Sequence, residues 1–416
     1  MRPEPYSSYL ARRAAAGPWR LDLEVARHLP GALVIPCLAE SASLPRTLAS
    51  LAADSSLTAA GLAVVVVVNN RLDAAPGERE DNQLTLNYLR SSRGRFPFRL
   101  GIVDAASPGF ELPLKDGGVG LARKLGHDLL LPLLDFSNDP LIISLDADTL
   151  VKPGYAGAIM THFRTTAGGG AVIPFEHLPA EGERENRAIE RYELFLRCYV
   201  AGLAYAGSPY GFHTVGSAMA CRASAYLKCG GMNRRRAGED FYFLQSLAKT
   251  AGVGQVQGTV VQPSPRRSAR VPFGTGRAMG MMLDNKPGAI RFYRPECFQL
   301  LKVWLELAMN ASSTRNDSLF AQAEAFSANL GSFLEEQKFA SAWQGFLGQH
   351  GSPESLNAAF HGWFDAFRTM KFFHYLAETG YPRTEPEEVV SSFPEAWGEA
   401  GLSLRERLEF LRKVQS

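Results

Sequence analysis

The stretch Leu141-Ile-Ile-Ser-Leu-Asp-Ala-Asp-Thr-Leu150 is almost wholly apolar until it stops at two carboxylates, Asp146 and Asp148, one position apart. A short unalternating run of this kind reads as a strand buried on both faces that ends at a charged edge. In an extended chain alternate side chains share a face, so Asp146 and Asp148 are expected to project together from the strand end. Carboxylates so placed repel unless a cation joins them. A hard ion such as Mg²⁺ or Mn²⁺ takes one or two carboxylates plus phosphate oxygens, which suits a strand-end Asp-x-Asp. Asp is also common at ordinary strand-to-turn junctions, so the surrounding chain has to decide.

Outward from that strand the chain alternates between two periods. Strands are expected at Ala32–Ile35, Leu62–Val68 and Arg99–Val103, with helices over Leu44–Ala53, near Asp81–Arg90 and from the Gly-rich loop at Gly117 to Leu131. Apolar runs separated by helices indicate a mostly parallel sheet flanked by helices, an α/β fold with sites at the carboxyl ends of its strands. A second block follows: Gly168–Pro174, a helix over Ala188–Leu203, the segment Gly216–Arg222, and a helix opened by Glu239 and Asp240. Beyond about Met281 only helical spacing remains, with Leu319, Ala323, Phe326, Leu330 and Phe333 in one stripe and Phe360, Trp363, Phe367 and Met370 in another. The expected division is an N-terminal extension at 1–30, an α/β domain at 31–280 and a helical region at 281–416.

The 416 residues are 46% hydrophobic and 21% charged, with a formal net charge of +2. No basic tract supports nucleic acid as the main partner. The five cysteines lack paired spacing, which fits a reduced compartment, and a cytoplasmic location is the expectation. The apolar runs are too short to span a bilayer, and the N-terminus lacks an apolar signal core. Peripheral membrane contact is left open by the aromatic helical surface.

The motifs occur in a particular order. Val34-Ile-Pro-Cys-Leu-Ala-Glu40 is a strand and turn; Asn69 and Asn70 end the next strand; Gly118-Val-Gly120-Leu-Ala-Arg123-Lys124 opens a helix. Asp146-Ala-Asp148 follows, then Gly216-Ser-Ala-Met-Ala-Cys-Arg222, Gly230-Gly-Met232 and Glu239-Asp240. Last comes the Arg-, Gly- and Pro-rich segment Gln262–Arg277. From Gly31 to Arg277 this order resembles the family-2-type inverting glycosyltransferases of GT-A fold, which use nucleotide-diphosphate sugars.

The resemblance implies a donor site. Pro36 and Glu40 would belong to the turn around base and ribose. Asn69 and Asn70 stand where the family usually shows a base-reading Asp, and an amide both donates and accepts. Gly118 and Gly120 would lie under the nucleotide, Arg123 would approach phosphate or base, and Lys124, in place of the usual Asn, would add charge near the diphosphate. Asp148 would ligate Mn²⁺ or Mg²⁺, with Asp146 on the ribose or the ion. Arg270 and Arg277 would pair with diphosphate oxygens. The usual His near the start of that loop is missing, which leaves Asp148 and the substrate as ligands. The implied base is Asp240, with Glu239 second; amide dipoles in a first helical turn favour an ionised carboxylate, as a base requires. Glu176, His177 and His213 fall in segments expected on the acceptor side, the acceptor being an unidentified saccharide, lipid-linked or small-molecule hydroxyl. Arg234, Arg235 and Arg236 read equally as a solvated run or as an anion clasp.

Together these imply a metal-dependent, non-processive inverting transferase, since the membrane helices and Gln-x-x-Arg-Trp of processive relatives are missing. A dinucleotide fold is excluded because Arg123 stands where a third Gly is required, on the wrong strand. A sugar-nucleotide pyrophosphorylase would begin with a Gly-rich loop where Ile35-Pro-Cys-Leu-Ala-Glu40 stands. A catalytically silent nucleotide-sugar-binding module remains an alternative.

Overall fold

A computed structural model describes residues 5–25, 28–268, 270, 272–284 and 290–416. Contacts divide the chain into two units, one of 1–185 and 214–280 with residue 416, the other of 186–213 and 281–415.

The first unit is built on a sheet of strands β1 (Leu21–Asp22), β2 (Gly31–Cys37), β3 (Ala63–Asn69), β4 (Leu100–Ala105) and β5 (Leu141–Ser144), with β7 (Gly170–Val172), β8 (Met219–Arg222) and β9 (Val253–Gln255); β6 (Thr149–Val151) and β10 (Val261–Pro263) form a separate ribbon. The sheet order is β1-β4-β3-β2-β5-β8-β7-β9. Strands β4, β3, β2 and β5 run parallel, whereas β8 is antiparallel to β5 and to β7. Every residue of β2 and β3 is buried, as their unbroken Val, Ile and Leu content requires. Pro36 is tolerated in this central strand because pairing with β5 ends at Val34↔Ser144, so its missing N–H lies beyond that ladder. The fold is thus α/β with a mostly parallel sheet flanked by helices, plus a helical C-terminal region, as expected.

The expected extension contributes structure to this unit. Its helix Pro5–Arg12 buries Tyr6 and Tyr9, and β1 pairs with β4 at the sheet edge. Beyond β5 the strand expectation fails: it ends at Ser144, and Thr149 N–H donates to the Asp146 carbonyl at 3.2 Å, closing a turn around the Asp-x-Asp.

The second unit is helical. Its aromatic core includes Trp304, Trp343, Trp397, Phe298, Phe333 and Phe360, each at most 2% exposed. The expected stripes are broken. A helix ends at Phe326, which is 53% exposed, and Ser327 caps the next one by accepting from Leu330 N–H. Asp365 likewise caps a new helix, so Phe364, Phe372 and Phe373 are buried and Phe367 and Met370 only partly.

Candidate active site

The parallel strands bring the turns after β2, β3 and β5 to one edge. Register pairs Ser144 with Met219, so the approach to antiparallel β8, including Gly216, reaches the same edge. Four segments therefore deliver Glu40, Asn69, Asp146 and Gly216 to one rim.

Asp146 and Asp148 do not share one counter-ion. Arg123, in the first turns of helix Val119–Leu130, donates through Nη2 to Asp146 Oδ1 at 2.5 Å and through Nε to Glu239 Oε1 at 3.0 Å. Both Arg123 and Glu239 are buried, at 2% and 4% exposure. Burial raises the Glu239 carboxyl, and the paired Arg123 charge opposes that shift. A Cβ built on Gly216 would stand 2.4 Å from Arg123 Nη2 and 3.4 Å from Asp240 Oδ2, so any side chain here would have to displace the guanidinium.

Asp148 belongs to a second cluster. Arg266 Nε donates to Asp148 Oδ2 at 2.7 Å while its Nη2 pairs with Glu40 Oε1. Arg270 reaches the same Glu40 oxygen at 2.5 Å and the Ala39 carbonyl at 3.1 Å. Ala39 holds a left-handed backbone, φ 49°, a sparsely populated state for a residue with a Cβ. Glu40 Oε2 is buried without a hydrogen-bond partner. Burial pushes Asp148 up to about 6 against the pull of Arg266. The sequence reading chose Arg270 and Arg277 from this loop and passed over Arg266, which stands in the same Arg-rich run without any distinguishing neighbour. Arg277 is exposed in helix Thr275–Leu283.

The base candidate sits on helix Glu239–Ala251 behind Gly238. Its own Phe241 N–H donates to Asp240 Oδ1 at 2.7 Å. The dipole at this helix start was expected to keep Asp240 ionised; instead burial, with the neighbouring Glu239 charge, pushes it up to about 7. Gly118 and Gly120 have a packing reason of their own. A Cβ on Gly120 would stand 2.3 Å from the Arg235 carbonyl, and one on Gly118 2.9 Å from Arg236 Cα. The Gly-x-Gly therefore seats the Asn233–Arg236 strap, in which Arg235 lies 3.7 Å from the Tyr242 ring.

Lys124 turns away from its neighbour Arg123. Its Nζ donates to Tyr9 Oη at 2.8 Å and pairs with Asp128 at 3.0 Å, inside a cluster where Tyr9 and Tyr226 both donate to Asp128 Oδ1. Burial lowers its pKa. The expected charge beside a diphosphate is thus spent on a buried carboxylate. Asn70 is also occupied: its Oδ1 accepts from Asn82 Nδ2 at 2.9 Å, and Asn82 further ties the Asn69 carbonyl and Ala39 N–H. Asn69 Oδ1 is buried without a partner, an acceptor left over where base recognition was expected. Asn82, missed in the sequence, carried no signal there beyond a polar residue in a polar helix.

Glu176 pairs with Lys152 at 3.8 Å, and His177 Nε2 lies 3.1 Å from Thr275 Oγ1. His213 is assigned to the helical unit, where it meets Gln415 at 3.1 Å. Burial pushes it down to about 4, so it is neutral.

No protein-family model and no curated protein matches the chain. Among solved structures it is similar to S. aureus TarS 1-349 in complex with UDP-GlcNAc, at 10% identity and a TM-score of 0.41, over 79% of this chain and 90% of that one. It is also similar to the mannosyltransferase PcManGT from Pyrobaculum calidifontis in complex with GDP-Man and Mn2+, at 15% identity and a TM-score of 0.39, over 87% and 95%.

Proposed function

We propose that the chain is a metal-dependent, non-processive inverting glycosyltransferase of GT-A type that moves a sugar from a nucleotide diphosphate to an acceptor hydroxyl. One observation carries the reading: Glu40, Asp146 and Asp148 at the carboxyl edge of a parallel sheet are gathered with Glu239 and Asp240 at a helix start, and all but Asp240 are paired with arginines. Such a rim matches a substrate that brings both negative phosphate and a cation.

The donor set fits a hard cation. It is all carboxylate oxygen, one oxygen of Glu40 is buried without a partner, and a guanidinium already stands between Glu40 and Asp148 where positive charge is required. Among the described residues no cluster of three or more His, Cys, Asp or Glu could hold an ion alone, so Asp148 with Asp146 would share it with substrate phosphate. A bound Mn²⁺ or Mg²⁺ would supply charge stabilisation to the departing diphosphate.

The chain's own residues supply the remainder. Asp240 takes the proton from the acceptor hydroxyl; with one oxygen held by Phe241 N–H, its Oδ2 faces Gly216. Arg270, and Arg266 once released from the carboxylates, can bind diphosphate oxygens with planar donor pairs. Asn69 Oδ1 is the acceptor available for the base.

A second reading, a module that binds nucleotide sugar without transferring it, is favoured by the pairing of Arg266 with both Asp148 and Glu40. Thermal shift with UDP, GDP and their sugars, with and without Mn²⁺, followed by hydrolysis assays, separates the two. Metal-dependent stabilisation with hydrolysis supports the enzyme, stabilisation without hydrolysis supports the module, and no stabilisation removes both.

A further inference from the structure

We propose that Arg123 is a positioning residue that ties the Asp-x-Asp turn to the helix carrying Asp240, and that it is not a donor ligand. This rests on the glycosyltransferase reading of the site and changes the role its family resemblance implies for Arg123.

The geometry is specific to a bridge. Two nitrogens of one guanidinium take carboxylates from two different segments, Nε from Glu239 at 3.0 Å and Nη2 from Asp146 at 2.5 Å. The side chain is 2% exposed, and its third nitrogen, Nη1, is also buried and without a partner. A residue that met phosphate or base would keep a donor edge open to the rim. Instead the plane is closed in by Gly216, whose missing side chain leaves room for Nη2 beside Asp240 Oδ2. Gly216, Arg123, Asp146 and Glu239 thus form one packed unit. Asp240, next in the chain to Glu239, inherits its position from that unit. Positioning of this kind governs turnover, because a displacement of about 1 Å costs about 10²-fold in rate without loss of binding.

The test uses the full chain with three variants, Arg123→Lys, Glu239→Gln and Gly216→Ala. Lysine keeps the charge but lacks the planar guanidinium whose separate nitrogens hold the two carboxylates. Glu239→Gln breaks the same bridge isosterically, so the proposal stays testable if Arg123→Lys does not fold. Gly216→Ala displaces Arg123 with every charged group retained. Calorimetry with UDP and GDP in Mn²⁺ should find affinities within a few-fold of the parent, while kcat for sugar-nucleotide turnover falls about 10²-fold in each. Combining Arg123→Lys with Glu239→Gln should lower kcat no further than either alone, and their shifts in unfolding midpoint should not add. Nucleotide affinity that falls in step with kcat/KM, with kcat retained, would make Arg123 a donor ligand and overturn the proposal. If the parent protein binds no nucleotide diphosphate, the glycosyltransferase reading fails instead. The unfolding cycle then decides the bridge: additive shifts overturn it and non-additive shifts support it.

Discussion

Asp146 and Asp148 stand one residue apart, yet they belong to differently built halves of the rim. The inner half, around Arg123, is carried by helices Val119–Leu130 and Glu239–Ala251 and closed by Gly216. The outer half hangs on Arg266 and Arg270, which follow β10 in the chain, with side chains 35% and 33% exposed; in the inner half Asp146 is 36% exposed but its partner Arg123 only 2%. A buried pair loses heavily when one partner is removed, because the other charge is left without water. A half-exposed pair is worth little. The inner cluster is therefore suited to hold geometry, and the outer one, on the proposed function, to exchange an arginine for a cation and diphosphate.

The largest expected effect tests the inner half. Asp240→Asn is nearly isosteric and should leave UDP or GDP affinity intact while kcat drops by about 10²–10⁴-fold, the usual contribution of a positioned base. Glu239→Gln should cost less, and the product should carry the anomeric configuration opposite to the donor's. A fully active Asp240→Asn beside a dead Glu239→Gln would move the base role to Glu239. Retained configuration would end the single-displacement mechanism.

Asp148→Ala acts on the outer half and should abolish the Mn²⁺-dependent part of nucleotide-diphosphate binding, measured by calorimetry, with the fold preserved. Metal-dependent affinity that survives the change would mean the ion is held elsewhere.

Next in size is the pH profile. The Asp240 carboxyl, raised to about 7, carries its proton below that pH and cannot accept another. Turnover should therefore climb about tenfold per pH unit on the acid side and level off above about 7. Stability runs the other way: the native group holds a proton that the unfolded chain releases near its ordinary value, so this contribution is lost as pH rises through about 7. Asp240→Asn should consequently raise the melting temperature at pH above 7 relative to the parent, and equal melting curves would mean the carboxyl titrates normally.

Arg266→Ala should have a smaller, signed effect. Freed from the guanidinium, Glu40 and Asp148 should bind Mn²⁺ alone a few-fold more tightly, while UDP and GDP bind more weakly for want of a phosphate contact. Calorimetry without nucleotide reads the first and with nucleotide the second; weaker binding in both would make Arg266 a structural prop.

The strands were legible because β2, β3 and β5 are buried on both faces, and burial is what writes an unbroken Val, Ile and Leu run. The acidic positions were legible for the same reason, since charge at the end of such a run lies at a sheet edge. Partnership was not legible. Nothing local distinguishes Arg266 from Arg270, or tells that Arg123 and Lys124, adjacent in sequence, meet different partners. The helical stripes misled at Phe326 and Phe367 because Ser327 and Asp365 restart helices there, and the period shifts with each restart.

The smallest expected effect falls at Lys124, which separates packing from donor binding most cleanly. Its ammonium sits among Tyr9, Asp128 and Tyr226, and Asp128 keeps other donors in any case: both phenols on Oδ1 and Ala15 N–H on Oδ2 at 2.7 Å. Lys124→Met fills the same channel with an unbranched apolar chain. The carboxylate stays hydrogen-bonded but loses its buried counter-charge, so the cost should be a stability loss of about 3–5 kcal/mol, read by denaturant unfolding. Donor affinity should change by less than about twofold, as for sites that share no partner. A large selective loss of nucleotide-diphosphate binding in a well-folded Lys124→Met would place the ammonium at the phosphates. It would also erase the contrast between the two neighbours, since Lys124 would then belong to the exchangeable half of the rim while Arg123 stayed in the rigid one.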